Sequence, residues 1–343
     1  MTKLAIVILN WNGRGYLQKF LNSVLEYSKG EGIEIIVADN ASTDDSIELL
    51  RSQFAAVRII ELEKNYGFAG GYNKALQQVD ATYYMLLNSD VEVTPNWLSP
   101  LLQYMDANLQ TAACMPKMKA YHNKNLFEYA GSSGGYLDKY GYPFCRGRIF
   151  DTVEPDYGQY DEIKEIFWAS GAALLIRSEL YHKMGGLDNR FFAHMEEIDL
   201  CWRLKNNGFS IICIPQSEVY HVGGGALPPE SPRKTYLNYR NNLFMLTKNL
   251  PANRIVTTLF IKLLLDGIAA VRFLMHFKIS FPLAILKAHI SFYLKIIPVL
   301  AQRKKLVKPL TLSKHTEIYK KSIVFEYFIK GNKEFNKIDF KQK

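Results

Sequence analysis

Four mostly apolar runs, residues 4–9, 33–38, 57–62 and 83–87, alternate with stretches whose apolar residues recur at helical spacing, as Leu17, Phe20, Leu21, Val24 and Leu25 do. A strand buried on both faces reads as such a run, and strands that alternate with helices build a parallel sheet. The pattern predicts a doubly wound, mostly parallel α/β sheet flanked by helices. At 343 residues the chain has room for that domain and an appendage.

In open α/β sheets, ligands bind in the crevice beyond the carboxyl ends of the strands. Asn10 and Asn12 follow the first run, Asp39 closes the second, and Asn88, Ser89 and Asp90 end the fourth. Amides and carboxylates placed there can pair with a base edge or with ribose hydroxyls. Asp90, with Asn88 before it and Glu92 after it, offers hard oxygen ligands suited to Mg²⁺ or Mn²⁺. Turn chemistry alone also favours Asn, Ser and Asp at a strand exit. Ahead of the fourth run, Asn65, Gly67, Gly70, Gly71 and Asn73 open a helix at a point where backbone can approach a ligand closely. No GxGxxG follows the first run and no GxxxxGK[ST] occurs, which argues against a dinucleotide fold and a P-loop.

A second polar cluster lies downstream. Residues 167–177 predict a small-residue turn and a buried strand, and residues 194–204 a helix stopped by Gly208. Glu196, Glu197 and Asp199 fall in its first turn, where the helix dipole favours acid whatever its job. A carboxylate at the mouth of an apolar cleft is also a candidate general base. A strand at 211–214 leads on to His221 and to Gly223, Gly224 and Gly225; neutral imidazole there suits Mn²⁺. Residues 119–165 resist placement, with 131–135 and 136–150 expected as loops of the kind that carry specificity.

Charge divides the chain. Residues 251–343 carry 18 Lys/Arg against 5 Asp/Glu, whereas residues 1–250 carry 24 against 28. On a helical wheel Arg254, Thr258, Lys262, Asp266, Arg272 and His276 share one arc and apolar residues fill the rest. After Pro282, Lys287, Ser291 and Lys295 line one face of another helix. Neither helix offers the roughly 18 uninterrupted apolar residues of a membrane span. The expected partner is an anionic membrane surface met by Arg303, Lys304, Lys305 and Lys308, with packing of these helices on the first domain as the alternative. Such apolar density argues against a nucleic-acid arm. The four cysteines lack CxxC spacing and are expected as reduced core residues. No signal peptide is read at the N-terminus, so a cytosolic location is expected.

Jointly and in order, residues 7–12, 37–44, 65–73, 87–91, 170–172, 196–200 and 220–221 resemble family 2 glycosyltransferases with the A-type fold. The similarity is to the rhamnosyltransferase-like branch of bacterial polysaccharide biosynthesis, and it covers roughly residues 1–245. It implies a Rossmann-like nucleotide-sugar-dependent domain over 1–245, and charge and helical periodicity make 246–343 a basic, amphipathic helical, membrane-associating extension. It implies that Asp39 pairs with the nucleotide base beside Asn10 and Asn12, that Asn65, Gly67, Asn73 and Asn88 belong to the same nucleotide site, and that Arg240 contacts phosphate. Asp90 matches the last position of the family's DxD metal motif, whose first position is Asn88 here. Asp90 and His221 are the implied Mn²⁺ or Mg²⁺ ligands, with Glu92 as a further one. Glu197 is the implied base, with Glu196 and Asp199 as alternates. The implied reaction is inverting transfer of a sugar, rhamnose from dTDP-rhamnose, to a hydroxyl of a polyprenyl-diphosphate-linked glycan at the inner face of the plasma membrane. A UDP-hexose or UDP-galactofuranose donor, and a nucleotide-binding scaffold without catalysis, are the alternatives.

Overall fold

The computed structural model describes residues 2–223, 231–306 and 312–340. The four apolar runs form β1 (Leu4–Asn10), β2 (Ile33–Asp39), β3 (Arg58–Glu61) and β4 (Tyr83–Asn88), joined by α1 (Arg14–Tyr27), α2 (Ser46–Gln53) and α3 (Gly67–Leu76). β1 runs parallel to β2 and β4, and β2 to β3. The helical spacing in α1 buries Leu17, Phe20, Leu21 and Val24.

After β4 come β5 (Val91–Val93), α4 (Leu98–Ala107), β6 (Thr111–Ala120) and β7 (Asn123–Phe127). Five short strands follow: β8 (Gly135–Asp138), β9 (Pro143–Cys145), β10 (Arg148–Ile149), β11 (Thr152–Val153) and β12 (Lys164–Glu165). Then β13 (Ala173–Arg177), α5 (Ser178–Lys183), α6 (Glu196–Asn206) and β14 (Ser210–His221) complete the main sheet. Its order is β12-β14-β6-β13-β4-β1-β2-β3, with β5 on β14 and β7 on β6. The sheet is mixed, because β13 lies antiparallel to both β4 and β6.

Residues 136–150, expected as a loop, instead supply strands of a second sheet, ordered β11-β10-β9-β8-β15. Its last strand, β15 (Ile318–Tyr319), comes from the far end of the chain and pairs with β8. Tyr136 packs on Phe335 and Phe340, with ring centroids 4.9 and 5.2 Å away. The remaining helices are α7 (Pro232–Asn249), α8 (Ala252–Met275), α9 (Ser280–Leu294), α10 (Ile296–Lys305) and α11 (Ile323–Phe328). α7 runs across the expected 245/246 boundary, and residues 312–340 return to the second sheet rather than extending the helical layer. All four cysteines are buried and free. Gly224, Gly225 and Lys308 lie outside the described residues.

Candidate active site

Strand register gathers the polar ends. Asn10 pairs with Asp39 across β1 and β2, and Leu9 with Asn88 across β1 and β4. β13 starts beside β4 with Ala173 opposite Leu87, so the turn before it reaches Asn88, whose N–H donates to Ala172 O at 3.0 Å. β5 pairs with β14, His221 opposite Val91, which carries the histidine to the residue after Asp90. Asn10, Asp39, Asn88, Asp90 and His221 therefore share one carboxyl edge.

At the β1/β2 side, Asp39 is buried and held. Its Oδ1 accepts from Asn10 Nδ2 at 2.9 Å and from Ser42 Oγ at 2.6 Å, and its Oδ2 accepts from the Ser42 N–H at 2.8 Å. Asn12 Oδ1 accepts from the Thr43 N–H at 2.7 Å, which fixes the loop opposite. Asn10 Oδ1 is buried without a partner. A fixed carboxylate with spare acceptor capacity beside an unpaired amide oxygen can recognise N–H groups of a base edge.

The metal-competent pair sits at β5. His221 Nε2 lies 3.1 Å from Asp90 Oδ1, and both side chains are buried. Asn88 Nδ2 lies 3.5 Å from the same ring nitrogen, at the limit of a hydrogen bond. Burial acts to raise the Asp90 carboxyl, but the hydrogen bond and charge of His221 override it and hold the group below its ordinary range. Burial opposes charge on His221, yet the charge of Glu128 and the hydrogen bond to Asp90 push the imidazole up to about 10. Glu128 was not evident from the sequence. It is buried, and its Oε1 stands 3.2 Å from His221 Nδ1, off the line of a good hydrogen bond. A carboxylate behind the ring leaves Nε2 as the ligand atom, an arrangement that metal-ligating histidines commonly show. One carboxylate oxygen and one imidazole nitrogen, with further positions left to phosphate and water, fit Mn²⁺ or Mg²⁺. Among the described residues no three His, Cys, Asp or Glu side chains converge into a closed metal site. Glu92 faces away, ion-paired with Lys124 at 2.7 Å.

The carboxylates of α6 separate by environment. Glu196 is buried, and burial first and the charge of Glu197 second raise it well above the ordinary carboxylate range. Glu197 keeps some exposure; burial pushes it up to about 7, and its Oε2 is buried with no hydrogen-bond partner. A carboxyl poised near neutrality with a free oxygen can take a proton. Asp199, the other alternate, is excluded: it is fully buried, with Lys248 Nζ at 2.8 Å, Arg203 Nε at 2.9 Å and Asn249 Nδ2 at 2.8 Å. It ties α6 to α7.

The segment entering α6 is strained. Phe192, His194 and Met195 all have positive φ, at 65°, 70° and 71°, a region that costs non-glycine residues of order 1 kcal/mol or more each. Asn241 Nδ2 donates to the carbonyls of Phe191, Ala193 and His194 at 2.8–2.9 Å, and Arg240 Nη2 to those of Arg190 and Phe191 at 3.0 and 3.1 Å. Arg240 thus spends its guanidinium on this segment, not on phosphate. Asn73 is likewise structural, donating to Leu187 O and accepting from Tyr181 O–H, both at 2.6 Å. Asn65 Oδ1 accepts from the Gly67 N–H at 2.8 Å. A Cβ on Gly67, at φ 72°, would stand 2.5 Å from the Phe192 ring, so this glycine admits the strained segment.

Residues 5–160 match the family Glycosyl transferase family 2. The chain is 25% identical over 234 residues to the N-acetylglucosaminyl-diphospho-decaprenol L-rhamnosyltransferase of Mycobacterium tuberculosis, covering 64% of this chain and 75% of that protein. It is 26% identical over 227 residues to the Escherichia coli rhamnosyltransferase WbbL, covering 63% and 82%. Among solved structures, GalNAc-T7 with UDP, GalNAc and Mn²⁺ superposes with a TM-score of 0.57 at 17% identity, over 74% of this chain and 49% of that one. The mannosyltransferase PcManGT from Pyrobaculum calidifontis with GDP-Man and Mn²⁺ gives 0.52 at 12% identity, over 88% and 79%. The expected A-type glycosyltransferase fold is thus the fold observed. The match to family 2 glycosyl transferases lies in residues 5–160, and the chain is a glycosyltransferase similar to rhamnosyltransferases.

Proposed function

We propose that the chain moves a rhamnosyl unit from dTDP-rhamnose to a hydroxyl of a polyprenyl-diphosphate-linked glycan, with inversion, at the cytoplasmic face of an anionic membrane. The observation that carries this reading is that Asp39 and the Asp90–His221 pair share the carboxyl edge of one sheet, while Glu197 packs against Gly171 in the turn that reaches Asn88. The similarity to a decaprenol-linked rhamnosyltransferase supports the sugar and the carrier.

Asp39, with Asn10 and Asn12, takes the base. Asp90 and His221 would hold Mn²⁺ or Mg²⁺, which supplies counter-charge to the diphosphate leaving group when bound. The Glu197 carboxylate accepts the acceptor hydroxyl's proton while the hydroxyl oxygen bonds to the anomeric carbon from the face opposite the diphosphate. The old carbon–oxygen bond leaves with its electron pair on the nucleotide, and the configuration inverts.

Calorimetry of dTDP, UDP and GDP, with and without Mn²⁺, on the wild type and on Asp90→Ala tests the reading. The expected result is Mn²⁺-dependent binding of dTDP that is lost in the variant, with turnover of dTDP-rhamnose. Binding and turnover of a UDP-hexose or UDP-galactofuranose would replace the donor. Nucleotide binding without turnover of any donor sugar would leave a membrane scaffold, and no binding by folded protein would end the transferase reading.

A further inference from the structure

The helical wheel of α8 shows a polar arc but not which way it faces. In the structure the middle of that arc turns inward, with Thr258, Lys262 and Asp266 the buried residues of α8, while Arg254, Arg272 and His276 at its ends stay exposed. Lys262 is ion-paired with Asp266, and its ammonium lies 4.4 and 5.0 Å from the ring centroids of Tyr142 and Tyr239. Asp266 also meets His289 Nε2 of α9 at 3.1 Å and accepts from Tyr142 O–H at 3.4 Å. Tyr236 of α7 donates to Ser291 Oγ of α9 at 3.0 Å, and Arg190 Nη1 to the Pro298 carbonyl of α10 at 2.9 Å. The polar stripe is therefore a key that fixes the layer onto the transferase domain.

The consequence is an apolar outer face. Among the described residues, sixteen of the twenty-four exposed large apolar side chains lie between residues 252 and 305. They recur at helical spacing along α8 as Val256, Phe260, Leu264, Ile268, Val271 and Met275, with Val256 81% and Met275 74% exposed. Phe277, in the connection to α9, is 91% exposed. An apolar face of this continuity marks a binding surface.

Charge decides the occupant. Arg254, Arg272, Lys287, Lys295, Lys304 and Lys305 are exposed on the same layer, and its single acid, Asp266, is buried. Two copies meeting face to face would oppose like charges, whereas anionic headgroups neutralise them and acyl chains cover the apolar stripe. Among the described residues no single helix is long and apolar enough to cross a membrane; α9 and α10 reach that measure only together, across a 58° bend. We infer that the α8–α10 layer is a monotopic docking surface that seats its apolar face among the acyl chains of an anionic bilayer, holding the transferase domain at a fixed height and orientation. The inference rests on the proposal that the acceptor is lipid-linked, and it adds insertion to what charge alone would give as surface adsorption.

The test uses the full chain, floated with vesicles of phosphatidylcholine and phosphatidylglycerol, then washed in about 1 M salt, where screening leaves only about 3 Å of electrostatic reach. Wild type should stay with the vesicles, and Phe260→Asp combined with Ile268→Asp should weaken partition by more than about tenfold. In Phe260→Trp, the introduced indole should be quenched by lipids brominated along the acyl chain, which keeps the test alive if the double variant misfolds. Release of wild type by salt, equal flotation of the double variant, or an unquenched indole in Phe260→Trp would overturn insertion. So would a vesicle-free dimer that the double variant dissolves, because the face would then belong to a second copy. Nucleotide calorimetry on the same preparations separates the two readings: binding retained without flotation removes the docking surface and leaves the transferase.

Discussion

The two glutamates that open α6 are neighbours in sequence with opposite assignments. Burial and the charge of Glu197 favour the protonated form of Glu196, which Gln mimics, so Glu196→Gln should keep the rate within about tenfold. Glu197→Gln removes the proton acceptor and should lower kcat by about 10²–10⁴-fold with nucleotide binding kept. The reverse order in steady-state assays would move the base to Glu196. Because burial raises Glu197 to about 7, the carboxylate form is scarce below that pH. The log of kcat/KM should therefore climb with unit slope as pH rises toward about 7 and then level off. The same shift means the folded state holds a proton that the unfolded state has lost between 4.5 and about 7, so this group's contribution to stability falls as pH rises through that window. A second residue-scale prediction concerns Glu128, which stands behind His221. Glu128→Gln keeps the shape but weakens the hold on the ring, and should reduce Mn²⁺ affinity by about 10–100-fold in calorimetry without nucleotide. Unchanged Mn²⁺ affinity would leave Glu128 as core packing only.

At the scale of elements, aim is carried by α7 rather than by α6 itself. Asn241 donates to the carbonyls of Phe191, Ala193 and His194, which bracket the positive-φ residues Phe192 and His194, and nothing in α6's own sequence dictates that geometry. Asn241→Leu should let the segment relax and misplace Glu197, lowering kcat by about 10²-fold while KM for the nucleotide sugar and nucleotide affinity stay near wild type. A matched loss in nucleotide affinity would instead point to general damage. The sequence made β1 to β4 and their polar exits legible because buried strands are continuous apolar runs that stop abruptly. It also pointed to Asp39, Asp90, His221 and Glu197, which sit at such stops or in a helix's first turn. It did not disclose Glu128, which follows β7 with no spacing to mark it, nor the work of Arg240, whose surroundings come from a loop 50 residues earlier. The second sheet was hidden for another reason: its strands are two to four residues long, too short for alternation to register.

For the whole molecule, the charge contrast suggested a transferase domain followed by a basic extension, but the chain closes on itself. Ile323 is fully buried, its N–H donates to Asp138 Oδ2 at 2.9 Å, and Tyr319 just before it pairs within the second sheet. Thr152 and Tyr327 share a hydrogen bond at 2.9 Å, and Glu154 Oε1 accepts from the Phe335 N–H at 2.8 Å. None of this was readable from composition, because a return strand of two residues and single buried side chains leave no periodic trace. The C-terminal segment is thus a structural part of the domain that holds Glu128 and β14, while the helices between 252 and 305 are the layer that faces outward. Ile323→Ala should then lower global stability by about 2–5 kcal/mol, the range for a buried aliphatic truncation, and should shift one cooperative urea transition without splitting it. Tryptophan fluorescence, which reads the buried Trp97, Trp168 and Trp202 together with the exposed Trp11, should move together with circular dichroism. If fluorescence keeps its wild-type midpoint while a separate early transition appears in circular dichroism, the C-terminal segment is an independent appendage and the closed architecture is wrong.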